Sequence, residues 1–239
     1  MTLLSSAQVP IDSILPATRW SLHQDVSIES DDELIGSIAH LGLLRPPIVR
    51  LGQDGYELIC GARRLDALRR LGHSATISCS VIRSRSQKQD VLILVAEDQL
   101  QTGPLSPIEA ARLISLCKES ATQPTDEFLR LATATTSTTQ RDRLVTLLQL
   151  EEVIRTSIHY GNISAKTGLS FVLLSSTERL FIHDLFVRLT LNGNKQQRFL
   201  ELIQIIIGTE GGTIEEYLTD HFPEICKDPA ENPPQQSHR

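Results

Sequence analysis

The stretch Gly61-Ala62-Arg63-Arg64-Leu65-Asp66-Ala67-Leu68-Arg69-Arg70-Leu71-Gly72 decides the reading of this chain. Just before it, Tyr56–Cys60 alternates apolar and polar side chains and is rich in strand formers, so a strand is expected there. Gly61 interrupts that pattern. Leu65, Leu68 and Leu71 then recur at three-residue spacing up to Gly72, a residue suited to the position just past a helix end. The expected order is strand, glycine turn, and a helix over Ala62–Leu71. Arg63 and Arg64 fall in the first helical turn, where unpaired backbone N–H groups already carry partial positive charge. Two guanidiniums there oppose the helix dipole unless an anion is bound, which makes the turn a candidate phosphate site. Arginine is also an ordinary surface helix former, so the surrounding charge matters. From Gly61 to Lys88 seven basic residues stand against one acid, Asp66, in a chain of net charge −6. Positive charge gathered in one patch of an acidic protein points to a phosphorylated ligand rather than to polyanions in general.

Working outward, Ser30-Asp31-Asp32-Glu33 has capping-box spacing and opens a helix with Leu34, Ile35, Ile38 and Leu41 on one face, closed by Gly42. Pro46-Pro47 forces an extended entry into a strand at Ile48–Arg50, and Asp54-Gly55 signals the turn to Tyr56–Cys60. Ile11–Leu15 and Thr76–Ile82 also read as strands, and Lys88–Ala96 as a helix or buried segment ending at Glu97-Asp98. Strands and helices mixed on this scale predict a compact α/β or α+β domain over 11–105, after a flexible N-terminus at 1–10. Ser106-Pro107-x-Glu109 then starts a nearly all-helical region. Its expected parts are a domain over 106–175, further helices over 176–226, and a disordered tail over 227–239 rich in Pro, Gln and Asn. Leu173, Leu174, Leu180, Phe181, Leu185, Phe186 and Leu189 sit at helical spacings and read as core.

Composition bounds the function. With 239 residues and 40% apolar content the chain can bury a sizeable core. Only 4% of residues are aromatic, which argues against a base-stacking platform for single strands. Cys60, Cys79, Cys117 and Cys226 form no C-x-x-C pair, so neither a zinc site nor a disulfide framework is expected, and a reducing cytoplasm is the simplest setting. No apolar run is long enough to span a bilayer, so no membrane association is expected.

Three ordered blocks stand over about eighty residues: Ser37-Ile38-x-x-x-Gly42-Leu43-Leu44-x-Pro46, then Tyr56-Glu57-Leu58-Ile59-x-Gly61-x-Arg63-Arg64-x-x-Ala67, and Glu97-Asp98-x-Leu100-Gln101-x-x-x-Leu105-x-Pro107-x-Glu109-Ala110. In order and spacing they resemble the N-terminal domain of the ParB/Spo0J partition proteins, which shares its fold with sulfiredoxin. Val153-Ile154-x-x-x-Ile158-x-x-Gly161-x-Ile163-Ser164 extends the likeness into the helical part. The resemblance implies a ParB/sulfiredoxin-like domain followed by an all-α, helix-turn-helix-containing domain. It also implies a homodimeric DNA clamp in the cytoplasm, on the nucleoid, that binds CTP and Mg²⁺ and works with a partition ATPase in chromosome or plasmid segregation. On this sequence it assigns Arg45, Gly61, Ala62, Arg63, Arg64, Glu97 and Asp98 to the nucleotide, with Glu97 and Asp98 also holding the metal. Mg²⁺ favours hard oxygen ligands shared with phosphates, which suits both acids.

The chain departs from the family pattern at several of these places. Ala62 stands where the family has Glu, and a methyl group neither orients a water nor accepts its proton, so hydrolysis is expected to be weak or lost. Arg45 replaces Gln, Asp98 replaces Asn and Thr102 replaces Arg. In the helical half, Ser137 or Thr138 can cap a recognition helix offering Gln140, Arg141 and Arg143 to double-stranded DNA. Residues 109–150 nevertheless carry five basic and five acidic residues, which gives little neutralisation of phosphates. Two alternatives stand beside the partition reading. One is a nuclease or NTPase of the same superfamily using Glu97, Asp98 and Mg²⁺, and the other is a degenerate protein-interaction module. A sulfiredoxin-like activity needs Cys directly after Gly61, where Ala62 stands.

Overall fold

A computed structural model describes residues 3–15, 19–23, 32–73, 75–83, 86–101, 103–119 and 137–226. The chain divides into two compact units, Met1–Leu148 and Gln149–Arg239. The expected boundaries at 105 and 175 do not coincide with this division. The helix begun by Ser106-Pro107 packs into the first unit, where Ile108, Leu113 and Ile114 are buried.

The first unit is built on a five-stranded mixed sheet in the order β1-β5-β3-β4-β2, with β1 at Leu4–Pro10, β2 at Ile14–Leu15, β3 at Ile48–Leu51, β4 at Tyr56–Cys60 and β5 at Thr76–Ile82. Residues 1–10 were expected to be flexible; instead Leu4–Pro10 pairs antiparallel with β5 along its whole length. The signal is weak because β1 buries only Val9 among its seven residues. Ile11–Ser13 is a short 3-10 turn, so the strand expected over Ile11–Leu15 is reduced to β2. Helices α1 (Asp32–Leu41) and α2 (Ala62–Arg70) cover one face, packing Ile38, Leu65 and Leu68 against Val49, Leu58 and Ile77. Helices α3 (Lys88–Leu100) and α4 (Pro107–Glu119) cover the other, packing Val91, Leu92, Leu113 and Ile114 against Ile48, Ile59 and Ile82. A sheet covered on both faces explains why its central strands carry apolar residues on both sides.

A register shift between Ile48 and Val49, opposite Cys60 and Leu58, puts a bulge at the end of β4. Ile59 and Cys60 therefore both join the α3–α4 side, and the chain enters Gly61 directly from the bulge. Helix α3 runs through Glu97 and Asp98 to Leu100, so these acids lie within its C-terminal turns rather than beyond its end. Helix α4 is fixed by Glu109, 3% exposed, whose carboxylate accepts from the Ser106 N–H at 2.7 Å and from the Gln99 amide at 2.9 Å. Helix α5 (Thr138–Thr146) closes this unit.

The second unit is helical, with α6 (Glu152–His159), α7 (Ala165–Phe171), α8 (Ser176–Arg188), α9 (Gly193–Glu210), α10 (Ile214–His221) and α11 (Pro223–Cys226). Side chains cap four of these starts: Ser164, Ser175, Asn192 and Thr213. Leu185 and Phe186 are buried as expected, whereas Leu173 is 82% exposed and Leu180 and Leu189 also face solvent. Leu173 lies in the turn after α7, where helical spacing no longer decides which way a side chain points. Burial alone would raise the Glu151 carboxyl, but hydrogen bonds from Arg179 and Ser176 outweigh it and hold the group down to about 2. All four cysteines are free, and no helix among the described residues is long and apolar enough to cross a membrane.

Candidate functional site

Gly61 occupies the N-cap of α2 in the left-handed region, at φ 97° and ψ 28°, with no side-chain hydrogen bond capping the helix. The first N–H groups of α2 are thus left to be met by something other than a capping side chain. A side chain at this position would be tightly confined. A Cβ on Gly61 would lie 3.2 Å from the Arg64 guanidinium carbon and 3.2 Å from the Pro47 Cα.

Arg64 ties together three segments distant in sequence. Its Nη1 donates to the Arg45 carbonyl at 3.0 Å and to the Pro46 carbonyl at 3.4 Å, and its Nη2 pairs with Asp98 Oδ2 at 3.1 Å. Side-chain exposures of 17% for Arg64 and 24% for Asp98 leave the pair partly sheltered. Arg45, Arg63 and Glu97 are exposed around it, and the Glu97 carboxylate makes no side-chain hydrogen bond or ion pair among the described residues. Ala62 packs its methyl against the core under α1 and α2. Cys60, behind the turn, is pushed up to about 12, first by burial and then by the Asp98 charge, with Arg64 pulling weakly the other way. It is a neutral thiol and no nucleophile at ordinary pH. Toward the C-terminal end of α2 lies an open, mostly apolar pocket of about 250 Å³ whose lining includes Ile38, Leu43, Pro46, Leu68 and His73. Pro46 belongs both to this pocket and to the carbonyl pair that holds Arg64.

Residues 3–107 match the family model of the ParB N-terminal domain. Over these residues the chain is similar to that domain. It is similar to the chromosome-partitioning protein Spo0J of Thermus thermophilus, with 29% identity over 174 residues, covering 73% of this chain and 62% of that protein. It is also similar to the probable chromosome-partitioning protein ParB of Helicobacter pylori, at 26% identity over 90% of this chain and 78% of the relative. The chain thus spans less than two thirds of the Thermus protein's length. Among solved structures it is similar to C-terminally truncated Caulobacter crescentus ParB complexed to the centromeric parS site, at 16% identity and a TM-score of 0.43 over 82% of this chain and 98% of that one. The same protein complexed with CTP-gamma-S matches at 20% identity and a TM-score of 0.34, over 78% and 97% of the two chains.

The structure brings the three sequence blocks to the Gly61 turn, with Arg45, Gly61, Ala62, Arg63, Arg64, Glu97 and Asp98 around one helix start or on α3. What sequence reasoning did not supply is the backbone. The carbonyls of Arg45 and Pro46, rather than the Arg45 side chain, engage Arg64. It also assigned no role to Glu57, whose carboxylate accepts from the Trp20 indole N–H at 2.7 Å and from Arg50 at 2.5 and 3.0 Å. The candidate DNA-reading residues divide. Ser137 caps α5, accepting from the Gln140 N–H, and Gln140 and Arg143 are exposed. Arg141 is only 6% exposed, which corrects its expected placement toward DNA. It shares a helix face with Leu144 and Val145, which pack on the core of the first unit. Ser30 and Asp31 of the expected capping box, Thr102, and the tail from Lys227 lie outside the described residues.

Proposed function

We propose that this protein is a DNA-binding partition protein whose first unit takes a nucleoside triphosphate with Mg²⁺ at the Gly61 turn. The observation that carries this reading is Arg64, held over an uncapped helix start by the Arg45 and Pro46 carbonyls and Asp98. A guanidinium fixed at a helix N-terminus is a strong phosphate site, because oriented N–H groups, the helix dipole and a full charge act on the same oxygens. The residues fit both groups. Gly61 keeps the backbone approachable, and Glu97 and Asp98 offer hard carboxylate oxygens suited to Mg²⁺ shared with phosphates. The pocket sharing Pro46 is roomy enough for a base, and CTP is favoured by the family resemblance. In this reading Arg63 and Arg64 bind and orient the phosphates while Glu97 and Asp98 hold the cation. Bound Mg²⁺ would supply charge neutralisation on the phosphates.

The working protein in this proposal is a homodimer that binds double-stranded DNA in chromosome or plasmid partition, or related regulation, with a partition ATPase as partner. Gln140 and Arg143 are its base-reading side chains, and Arg141 is a packing residue. Calorimetric titration of CTP, ATP and GTP with Mg²⁺ tests the first half, and selection from a random duplex library with and without nucleotide tests the second. The expected results are CTP binding and an enriched site held at least ~10³-fold tighter than random duplex, weakened by Arg143→Ala. A library with no enriched sequence in either condition overturns the DNA half and favours an interaction module, a reading also supported by the burial of Arg141.

Turnover is expected to be slow, since the methyl group of Ala62 cannot position a water or accept its proton. Ala62→Glu should raise phosphate release while leaving nucleotide affinity nearly unchanged. Fast phosphate release from the parent protein would show that another residue performs this step and would favour the NTPase alternative.

A further inference from the structure

The Arg64 guanidinium already has an anionic partner within the chain, the Asp98 carboxylate at 3.1 Å. We propose that Asp98 is an internal counter-ion that competes with triphosphate for Arg64, so that nucleotide binding at the Gly61 turn becomes tightly linked to a divalent cation. The inference rests on the nucleotide reading of that turn. Nη1 is committed to the Arg45 and Pro46 carbonyls, so the guanidinium is held in place and Nη2 is the donor left to be shared. A phosphate oxygen arriving at Nη2 displaces Asp98. The carboxylate then loses its partner in a partly sheltered position and faces a polyanion, two unfavourable changes at once.

The freed Asp98 carboxylate would be a ligand for a divalent cation, whose charge would offset both changes. Glu97, the neighbouring residue on α3, presents a second carboxylate that makes no side-chain bond among the described residues. An amide at position 98, as in the family pattern, would still accept a hydrogen bond from Arg64 without carrying the charge. Asp98 thus sets how strongly nucleotide affinity depends on metal. Linkage requires the reverse as well, with nucleotide tightening the cation.

Calorimetry on the full chain tests this, with CTP and ATP as probes, in Mg²⁺ and in EDTA, for the parent, Asp98→Asn and Asp98→Ser. Thermal unfolding verifies that each variant is folded. The expected result is a parent that binds far more weakly in EDTA, and variants whose affinity in EDTA rises by about tenfold, so that the EDTA-to-Mg²⁺ ratio of Kd shrinks. If both variants bind in EDTA no better than the parent, the counter-ion role is overturned, even where their affinity in Mg²⁺ falls. A parent that binds neither probe in either buffer overturns the nucleotide reading itself, and this inference with it.

Discussion

Arg64→Ala is expected to weaken triphosphate binding by roughly 1.5–3 kcal/mol, the range for losing a hydrogen bond to a charged group, or about ten- to a hundredfold in Kd. The effect is large because Arg64 is fixed before any ligand arrives, its Nη1 resting on the Arg45 and Pro46 carbonyls. Little side-chain entropy remains to be lost on binding. The variant also strands the Asp98 carboxylate without its cation, adding repulsion against the phosphates. Arg64→Lys is expected to recover only part of the affinity, because an ammonium cannot reach two carbonyls and an anion in one plane. Calorimetry in Mg²⁺ measures both variants. Unchanged affinity in Arg64→Ala would remove the residue from the site.

Gly61→Ala is expected to damage both stability and binding. At φ 97° an alanine is strained by roughly 1–3 kcal/mol before any contact is considered. Its Cβ would also meet the Pro47 Cα at 3.2 Å, a backbone atom that cannot swing aside. The Arg64 guanidinium at the same distance can move, but only by leaving its carbonyls and Asp98. Gly72→Ala provides the comparison. That glycine also has positive φ, at 73°, but a Cβ there meets nothing within 4 Å. It should therefore lose stability through backbone strain alone and keep nucleotide affinity. Denaturant unfolding and calorimetry on both variants separate the two effects. Equal nucleotide affinity in both would mean that the Gly61 cradle does not shape the site.

By itself, the sequence determined the features that depend on neighbours along the chain. The strand at Tyr56–Cys60, the break at Gly61 and the helix from Ala62 follow from side-chain period and one residue without a Cβ. The start of α4 follows from Ser106, Pro107 and Glu109, and the cap of α5 from Ser137, because capping is settled within four residues. Family resemblance added which separate blocks belong to one site. The tertiary structure decided how they meet. Arg64 reaches Asp98 across 34 residues of sequence and the Arg45 carbonyl across 19, and no local pattern records a bond to a backbone carbonyl. Pairing decided β1, whose residues carry almost no burial signal until β5 lies beside them. Packing decided Arg141, since a charged residue reads as surface until the helix face it shares with Leu144 and Val145 is pressed against a core. Local rules fix where a helix begins and which residues it offers; which face is buried, and which charge finds a partner, is fixed only when distant segments exclude water together.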